Sequence, residues 1–300
     1  MRESPEDVTD DEILAAVRDA WLPSADAVEH LPVGFGAHHW RARCDGEPRL
    51  FVTLDSLGDR HDARSLHAAY AGAVRLAADG LEFVHPNLDP VTVVLGSGVL
   101  SATGWREGEV RERLDLASTA SMLARLHAAT VDDLPRWRPL VRADFAAALR
   151  ARLETTWDGG PFAAQAHTAL HDRLDAITEW TRRYHELAAL ARDHRWVPTH
   201  GEPHERNQLI TPEGTLLVDW ESLKLAPGER DLRVLVGAGA TDVEASWPMI
   251  EMFDLEWRLD EISQYADWFE SPHSGTASDY VAYGGLLEEL ARPEWAQPGR

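Results

Sequence analysis

With 300 residues, the chain is long enough for one large domain or for two lobes that share a core. Its 29 basic and 51 acidic side chains give a formal net charge of −22, which disfavours nucleic acid and anionic membranes as partners and suits either a cationic ligand or solubility alone. The single cysteine, Cys44, excludes an internal disulfide, and the acidic N-terminus and the lack of a long apolar run predict a cytoplasmic protein.

The N-terminal third of the chain carries mainly strand signals. Apolar residues at helical spacing first indicate a short helix over residues 10–20. The stretch 28–57 then reads as three strands, separated by a glycine turn and by an Asp-Gly hairpin turn at 45–46. An Ala-rich amphipathic pattern predicts a helix over 61–79. Two short β-rich runs follow, at 89–95 and 98–105.

From about Glu109 onward the pattern is mainly helical, with one β island at 196–221. This change predicts a small β-rich N-lobe over 1–105 and a larger, mainly helical C-lobe over 106–300. The fold class is therefore expected to be α+β. The helices predicted for the second lobe cover 110–130, 141–156, 163–193, 232–240, 247–270 and 278–291.

The segment THGEPHERNQLI, residues 199–210, first suggests a zinc site. His200 and His204 are spaced i, i+4 with an acid between them, as in zinc proteases. That arrangement needs a continuous helix, and Gly201 and Pro203 disfavour one. The acid also does not directly follow the first histidine, so zinc ligation is not expected.

The same segment continues into a predicted β-hairpin, NQLITPEGTLLVDWE, with a Thr-Pro-Glu-Gly turn. Asn207 begins this hairpin and Asp219 ends it, so both are expected to converge with Glu202 at one end of the ribbon. Carboxylate and amide oxygens are ligands that Mg²⁺ prefers, and Mg²⁺ usually keeps substrate phosphates as further ligands. So small a number of protein ligands favours a metal ion that binds together with a nucleotide.

The spacing of these residues matches a kinase catalytic loop. In that loop a His-x-acid sequence is followed by four residues and an Asn, with the acid near the acceptor hydroxyl and the Asn on Mg²⁺. A later Asp, after a strand, supplies the other metal ligand. His200, Glu202, Asn207 and Asp219 fall in this order, and Trp-Glu follows the Asp where kinases have Phe-Gly.

The two stretches THGEPHERNQLI and LLVDWESLKLAPGERDL together resemble the aminoglycoside phosphotransferase and choline kinase-like family. That family has a His-Gly-Asp-x-His-x-x-Asn loop, a strand ending in Asp-Trp and a later Pro-x-x-x-Asp-Leu. Glu in place of the loop Asp is similar to the spectinomycin phosphotransferase-like branch. LARLHAAT, residues 123–130, is similar to the family helix that precedes the substrate region, and LPVGFGAHHWRA lies where its glycine-rich loop is expected. The resemblance implies a protein kinase-like two-lobe fold, with one helix in the small β-rich lobe.

The resemblance also implies roles for individual residues. Glu202 would orient the acceptor hydroxyl as a base, and His200 would support the catalytic loop. Asn207 and Asp219 would hold Mg²⁺ on the phosphates of ATP or GTP. The cofactor-binding residues would be Gly34, Phe35, Gly36, Ala37 and His38 of the glycine-rich loop, with Thr53 from the third strand.

Two departures from the kinase pattern affect this site. Glu202 in place of Asp adds one methylene, which displaces the carboxylate by roughly 1.5 Å, and its pKa is expected near the reference of about 4.3. Thr53 stands at the position of the strand lysine, and the helix at 61–79 has no Glu to pair with one. Lys224, the only lysine, follows Asp219 in the chain and cannot take the place of the missing strand lysine. The sequence leaves four substitutes open: His38, His39, Arg41 and Arg64.

The function expected from the resemblance is transfer of the γ-phosphate to a hydroxyl of an aminoglycoside-like or other natural product, a small and possibly cationic acceptor, with antibiotic resistance as one role. The alternative is a catalytically impaired, pseudokinase-type binding or regulatory protein, favoured by the missing Lys–Glu pair. A metal-dependent phosphatase would need a second metal cluster, which the sequence does not show. The sequence does not specify the oligomeric state.

Three further features have simpler interpretations. Asp231 is expected to cap a helix that starts at Leu232, and His127 is expected to be a packed helix residue. The acids of the helix at 247–270 would either line a pocket for a cationic acceptor or form a solvated face. These acids, with one Trp among them, are Asp254, Glu256, Trp257, Asp260 and Glu261.

Overall fold

The computed structural model describes residues 1–5, 7–34, 36–58 and 60–293. The chain divides into two compact units, each formed by separate segments. The first unit contains residues 1–137 and 195–243, and the second contains residues 138–194 and the segment that starts at Glu244. The predicted lobe boundary after residue 105 lies within the first unit, and the division into lobes stays a prediction.

The described residues form the following helices and strands. The α-helices are α1 (Asp10–Ala20), α2 (Ala63–Ala78), α3 (Leu116–Ala128), α4 (Phe145–Arg152), α5 (Ala163–Asp172), α6 (Leu174–Ala188), α7 (Glu229–Gly237), α8 (Trp247–Glu270) and α9 (Ala277–Ala291). The strands are β1 (Ala27–Leu31), β2 (Ala37–Cys44), β3 (Glu47–Ser56), β4 (Val93–Leu95), β5 (Gly98–Gly104), β6 (Glu109–Val110), β7 (Trp196–Thr199), β8 (Gln208–Thr211), β9 (Gly214–Leu217) and β10 (Lys224–Pro227).

The strands form three antiparallel sheets, all in the first unit. The N-terminal sheet has five strands in the order β1-β2-β3-β5-β4. A three-stranded sheet has the order β6-β8-β9, and β7 pairs with β10. The strand-rich N-terminal region and the mainly helical remainder confirm the α+β class expected from the sequence.

Several predicted elements are confirmed, and four predicted helices differ in extent, those at 110–130, 141–156, 163–193 and 232–240. Helix α1 has the predicted bounds, because Thr9 and Glu12 form a capping box at its start. The helix predicted over 110–130 begins only after Asp115, whose carboxylate accepts a hydrogen bond from the Ser118 N–H, and Val110 belongs to β6, which pairs with β8. The helix predicted over 163–193 is broken at Arg173, where the backbone leaves the helical region at φ −109° and ψ 4°.

The two faces of the N-terminal sheet have different neighbours. Trp40 of β2 and Val52 of β3, both fully buried, pack in an apolar cluster with Ile13 of α1. Because side chains alternate along a strand, the residues between these buried ones face the other way. His39 of β2 lies opposite Thr53 of β3 on that second face. This second face carries His39, Thr53 and Asp55.

A second apolar cluster holds the β8–β9 hairpin against α2 and α3. Leu217 and Trp220 are each 1% exposed and belong to the same cluster as Leu76 of α2 and Leu123 of α3. The Trp220 indole N–H also donates to the Leu217 carbonyl at 2.8 Å. Burial of this size contributes about 1.5–3 kcal/mol per large apolar side chain. The end of the hairpin is thus fixed within the first unit by packing.

The second unit is built from helices α4, α5, α6, α8 and α9. Asp254 and Glu256 of α8 are 3% and 4% exposed, so they neither form a solvated face nor line an open pocket. Asp254 forms an ion pair with Arg292, and Glu256 accepts a hydrogen bond from the Tyr184 hydroxyl. The expectation of a solvated face is wrong for these two acids, because their partners lie on α6 and directly after α9. Among the described residues, no helix combines the length and apolar character that crossing a bilayer requires.

Candidate active site

The segment predicted as the catalytic loop, residues 200–207, begins directly after β7, where Thr199 lies opposite Lys224 of β10. We call this segment the catalytic loop. Gly201 has φ +102°, a region that disfavours other residues, and a Cβ at this position would collide with the Arg230 guanidinium. Arg230 is 8% exposed and donates to the Thr199 hydroxyl and to the Ser222 carbonyl, both at 3.0 Å. It therefore connects the start of the catalytic loop to the segment that follows Asp219.

Asp231 holds the catalytic loop from α7. Its fully buried carboxylate accepts hydrogen bonds from the N–H groups of His200 at 3.0 Å and Gly201 at 2.6 Å. The His127 ring, through Nε2, lies 3.0 Å from the same carboxylate. Burial is the largest single influence and would raise the pKa of Asp231. The hydrogen bond from His127, together with the charges of His127, Arg230 and His200, outweighs it and lowers that pKa, so the carboxylate stays charged.

The predicted capping role of Asp231 is therefore wrong. Helix α7 starts at Glu229, and the Asp231 side chain is used by the catalytic loop, 30 residues earlier at Gly201. His127 is a helix residue as expected, but it also contacts Asp231. Only the Asp-Leu of the family pattern pointed to this position in the sequence.

His200 supports the loop from within. The ring is fully buried and packs edge-on against Trp220, with ring centres 4.6 Å apart. Nε2 lies 2.9 Å from the Val218 carbonyl, and Nδ1 accepts from the Glu202 N–H at 3.2 Å. Burial lowers the pKa of His200 to about 4, so the ring is neutral near pH 7. It connects the backbone of Glu202 to the strand that leads to Asp219.

Asn207 is held between the same two segments. Its side-chain N–H donates to the Glu202 carbonyl at 3.0 Å, and its own carbonyl accepts from the Val218 N–H at 3.0 Å. With the amide nitrogen engaged, the amide oxygen is the atom left to face a cation. Gln208, fully buried beside it, donates to the Pro203 carbonyl at 3.1 Å and to the Thr119 hydroxyl at 2.9 Å.

Asp219 follows the hairpin with φ +70°, an uncommon conformation for a residue other than glycine. Its carboxyl is hydrogen-bonded to that of Glu221, and burial, followed by the charge of Asp219, raises the pKa of Glu221 well above its ordinary value. Glu221 Oε2 is buried and has no hydrogen-bond partner among the described residues. Glu221 stands where kinases have the Gly of Asp-Phe-Gly, and it forms a carboxyl pair with Asp219.

Glu202 is more enclosed than the solvated glutamate to which the reference pKa applies. Its side chain is 21% exposed, and Oε2 lies 3.8 Å from Nε2 of His204. Burial raises the pKa of Glu202, while the charge of Arg60 opposes the shift. The expectation of an unshifted pKa is therefore wrong, because the loop removes this carboxylate from water.

The ligand chemistry around Asn207 and Asp219 fits Mg²⁺ better than zinc. Within the described ranges, no group of three or more His, Cys, Asp or Glu side chains could hold a metal ion. His200 and His204 therefore belong to no three-ligand zinc group among the described residues. An amide oxygen and one or two carboxylates, completed by phosphate oxygens, are the set that Mg²⁺ accepts.

The predicted phosphate-covering residues lie at the start of β2. Gly34 and Gly36 have φ of +70° and +90°, whereas Phe35 lies outside the described residues. Ala37 and His38 are the first residues of β2. His38 belongs to the face of the sheet that carries Trp40, so only its backbone is available to the opposite face.

The second face of the sheet has a polar connection in place of the Lys–Glu pair. The Tyr70 hydroxyl of α2 donates to the Asp55 carboxylate of β3 at 2.7 Å. Asp55 is 6% exposed, and burial raises its pKa to about 7, with a smaller contribution from Asp219. Thr53 and Asp55 alternate with the buried Val52 and Leu54 along β3, so both lie on the same face of the sheet as His39.

Comparisons with known proteins identify the family of this chain. The chain matches the APH family, described as a phosphotransferase enzyme family, over residues 28–268. Protein StrN of Streptomyces griseus is 34% identical over 146 residues, which are 46% of this chain and 44% of StrN. The chain thus spans less than half the length of this curated relative.

Solved structures show the same fold at low sequence identity. Spectinomycin phosphotransferase in complex with ADP and spectinomycin has a TM-score of 0.72 at 14% identity, over 96% of each chain. A choline/ethanolamine kinase family protein from Mesorhizobium loti has a TM-score of 0.53 at 16% identity, over 94% of this chain and 95% of that one. These likenesses confirm the kinase-like fold. Since the family match extends over most of the chain, the protein belongs to the APH phosphotransferase enzyme family.

Proposed function

We propose that this phosphotransferase moves the γ-phosphoryl group of ATP or GTP to a hydroxyl of a small molecule, with Mg²⁺ as cofactor. The observation that carries the proposal is the position of Asn207. Its side chain binds the Glu202 carbonyl and its carbonyl binds the Val218 N–H, so the proposed base and both proposed metal ligands share one hydrogen-bonded frame. Phosphoryl transfer requires mainly such positioning and neutralisation of charge.

Asn207 and Asp219 would hold Mg²⁺, which neutralises charge on the phosphates when it is bound. Glu221, whose carboxyl is hydrogen-bonded to that of Asp219, would lie beside these two metal ligands. The backbone of the glycine-rich loop, with Gly34 and Gly36 at positive φ, would cover the phosphates.

Glu202 would orient the acceptor hydroxyl and accept its proton. The oxygen of the acceptor forms the new bond to phosphorus as the bond to the nucleoside diphosphate breaks, and the hydroxyl proton passes to the Glu202 carboxylate. A raised pKa makes Glu202 a better proton acceptor than an exposed glutamate, provided that it is ionised at the working pH. His200 would keep the backbone of Glu202 in place through its ring.

The acceptor would be a hydroxylated and cationic compound, such as an aminocyclitol or aminoglycoside. The net charge of −22 favours a cation over an anion as ligand. The similar spectinomycin phosphotransferase was solved with spectinomycin bound, which supports this class of compound. A nucleotide co-substrate and the single cysteine also favour a cytoplasmic location.

The test combines nucleotide binding with a transfer assay. Thermal unfolding is measured with ATP and with GTP, with and without Mg²⁺, and transfer of labelled γ-phosphate is followed across a panel of aminocyclitols and aminoglycosides. We expect a Mg²⁺-dependent increase in the unfolding temperature that is lost in Asp219→Ala. If neither nucleotide changes the unfolding temperature of the wild-type protein, the proposal is wrong.

A further inference from the structure

The site lacks the strand lysine that usually binds nucleotide phosphates, and the structure separates the four basic candidates to replace it. The His38 ring lies 5.9 Å from His30 and 6.2 Å from Trp40, on the face that packs against α1. The Arg41 guanidinium lies 4.9 Å from the Trp105 ring and 3.9 Å from Glu29. Arg64 is exposed in the first turn of α2. These three side chains are engaged elsewhere or point to solvent.

The fourth candidate, His39, lies beside the strand position at which kinases have the lysine. It lies directly opposite Thr53 in the sheet, and its Nδ1 is 3.1 Å from the Thr53 hydroxyl. The ring stacks on Phe51 with centres 5.0 Å apart, so its orientation is restricted. Its other nitrogen, Nε2, lies beneath the glycine-rich loop, since a Cβ placed on Gly34 would be 2.8 Å from it.

The hydrogen bond to Thr53 determines what His39 can offer a ligand. If the Thr53 hydroxyl donates to Nδ1, the neutral ring carries its proton on Nε2, which is the nitrogen under the loop. Burial lowers the pKa of His39 to about 4, so the ring is neutral in the protein without nucleotide. The charge of Asp219 opposes this shift but does not reverse it.

We propose that His39 replaces the missing strand lysine by donating a hydrogen bond from Nε2 to a phosphate oxygen of the nucleotide. Thr53 is then a positioning residue, which selects the tautomer that has this donor. The inference rests on the proposed function, because it needs a nucleoside triphosphate under the glycine-rich loop. It explains why Thr at the lysine position is compatible with phosphate binding.

The experiment compares ligands with and without the outer phosphates. Dissociation constants are measured by calorimetry for MgATP and MgGTP, and for AMP and GMP, with wild type and His39→Ala. A lost hydrogen bond to a charged group corresponds to a roughly tenfold to hundredfold weaker triphosphate affinity. We expect this loss for the triphosphates and a clearly smaller change for the monophosphates. His39→Gln, which keeps a neutral donor, is expected to recover part of the affinity.

Thr53→Val and His67→Ala serve as the second variant and the control. Thr53→Val keeps the shape of the side chain, and it should weaken triphosphate binding less than His39→Ala does. His67 makes the same type of bond, with Nδ1 at 2.8 Å from the Thr92 hydroxyl, but it is exposed on α2. His67→Ala should therefore bind triphosphates as the wild type does.

The outcomes separate the two proposals. Equal weakening of triphosphate and monophosphate binding, or unchanged binding, in a folded His39→Ala protein would overturn the role of His39 alone. A wild-type protein that binds no nucleotide would overturn the proposed function and this inference together. Folding of each variant is checked by its thermal unfolding curve.

Discussion

At the residue scale, the length and surroundings of Glu202 act together. The longer side chain moves the carboxylate further from the backbone than Asp would, and the loop encloses it beside His204. Burial raises its pKa, whereas an exposed glutamate would stay near about 4.3. In the proposed mechanism, the loop thus makes Glu202 a stronger proton acceptor and also shifts its position.

Replacement of Glu202 by Gln tests its role as a base. Glu202→Gln should lower kcat by roughly 10²- to 10⁴-fold and leave the affinity for MgATP or MgGTP unchanged, because the amide cannot accept the proton. Glu202→Asp should lower kcat by about 10²-fold, since the carboxylate retracts from the acceptor. Turnover and nucleotide affinity are measured in parallel. Wild-type turnover in Glu202→Gln would remove Glu202 from this role.

Gly201 is the residue of the loop that tolerates least change. Gly201→Ala combines a positive φ of +102° with a collision against Arg230, so it should destabilise the protein by about 1–3 kcal/mol. Gly80→Ala is the control, because Gly80 has φ +89° but open space where the Cβ would lie. Urea unfolding compares the two variants. Equal destabilisation would show that the contact with Arg230 is not important.

At the scale of elements, the catalytic loop is held by α7, by the adjacent strand β8 and by the residue that follows β9. Asp231 of α7 binds its backbone, Gln208 of β8 binds Pro203, and His200 binds the carbonyl of Val218. The loop itself contains no α-helix or strand between β7 and β8, only a short 3₁₀ turn over Glu205–Asn207. Its conformation therefore depends on these partners.

Asp231→Ala should release the loop. Two buried N–H groups lose their acceptor, so we expect a loss of about 1–3 kcal/mol in stability and a decrease in kcat of the remaining folded enzyme. Asp279→Ala is matched to it, because Asp279 is also buried and accepts from two backbone N–H groups, those of Gly275 and Thr276. The control should lose stability but keep its kcat. Similar kcat values for both folded variants would contradict the anchoring role.

At the scale of the whole molecule, stability should depend on pH through Asp55. Its pKa in the folded protein is about 7, above the ordinary value of 3.8, so the folded state binds more protons between these values. The stabilising contribution is complete below about pH 4 and is lost as pH rises through 7. The contribution of this group decreases by up to about 1.4 kcal/mol per pH unit.

Asp55→Asn removes this dependence while keeping an acceptor for the Tyr70 hydroxyl. The free energy of urea unfolding is measured for both proteins between pH 5 and pH 8. We expect the wild type to lose more stability than Asp55→Asn as pH rises, and the variant to be the more stable protein at pH 8. Asp11→Asn, on the exposed side of α1, controls for the loss of one negative charge. Parallel curves for wild type and Asp55→Asn would contradict the raised pKa.

The sequence alone determined the elements and the chemistry that depend on neighbouring residues. The bounds of α1, the β8–β9 hairpin and the order His200, Glu202, Asn207 and Asp219 are encoded in short stretches, where local propensity and spacing suffice. The family resemblance also rested on such stretches, and the match over residues 28–268 confirmed it.

Only the tertiary structure decided the contacts between residues that are far apart in the chain. Asp231 was interpreted as a helix cap because nothing next to it reveals the buried N–H groups of a loop 30 residues away at Gly201. The choice of His39 among four basic residues, and the Asp55–Tyr70 bond, depend on which sheet face each residue occupies and what packs there. Spacing in sequence specifies the alternation of faces, but burial and long-range pairing determine which face meets the site.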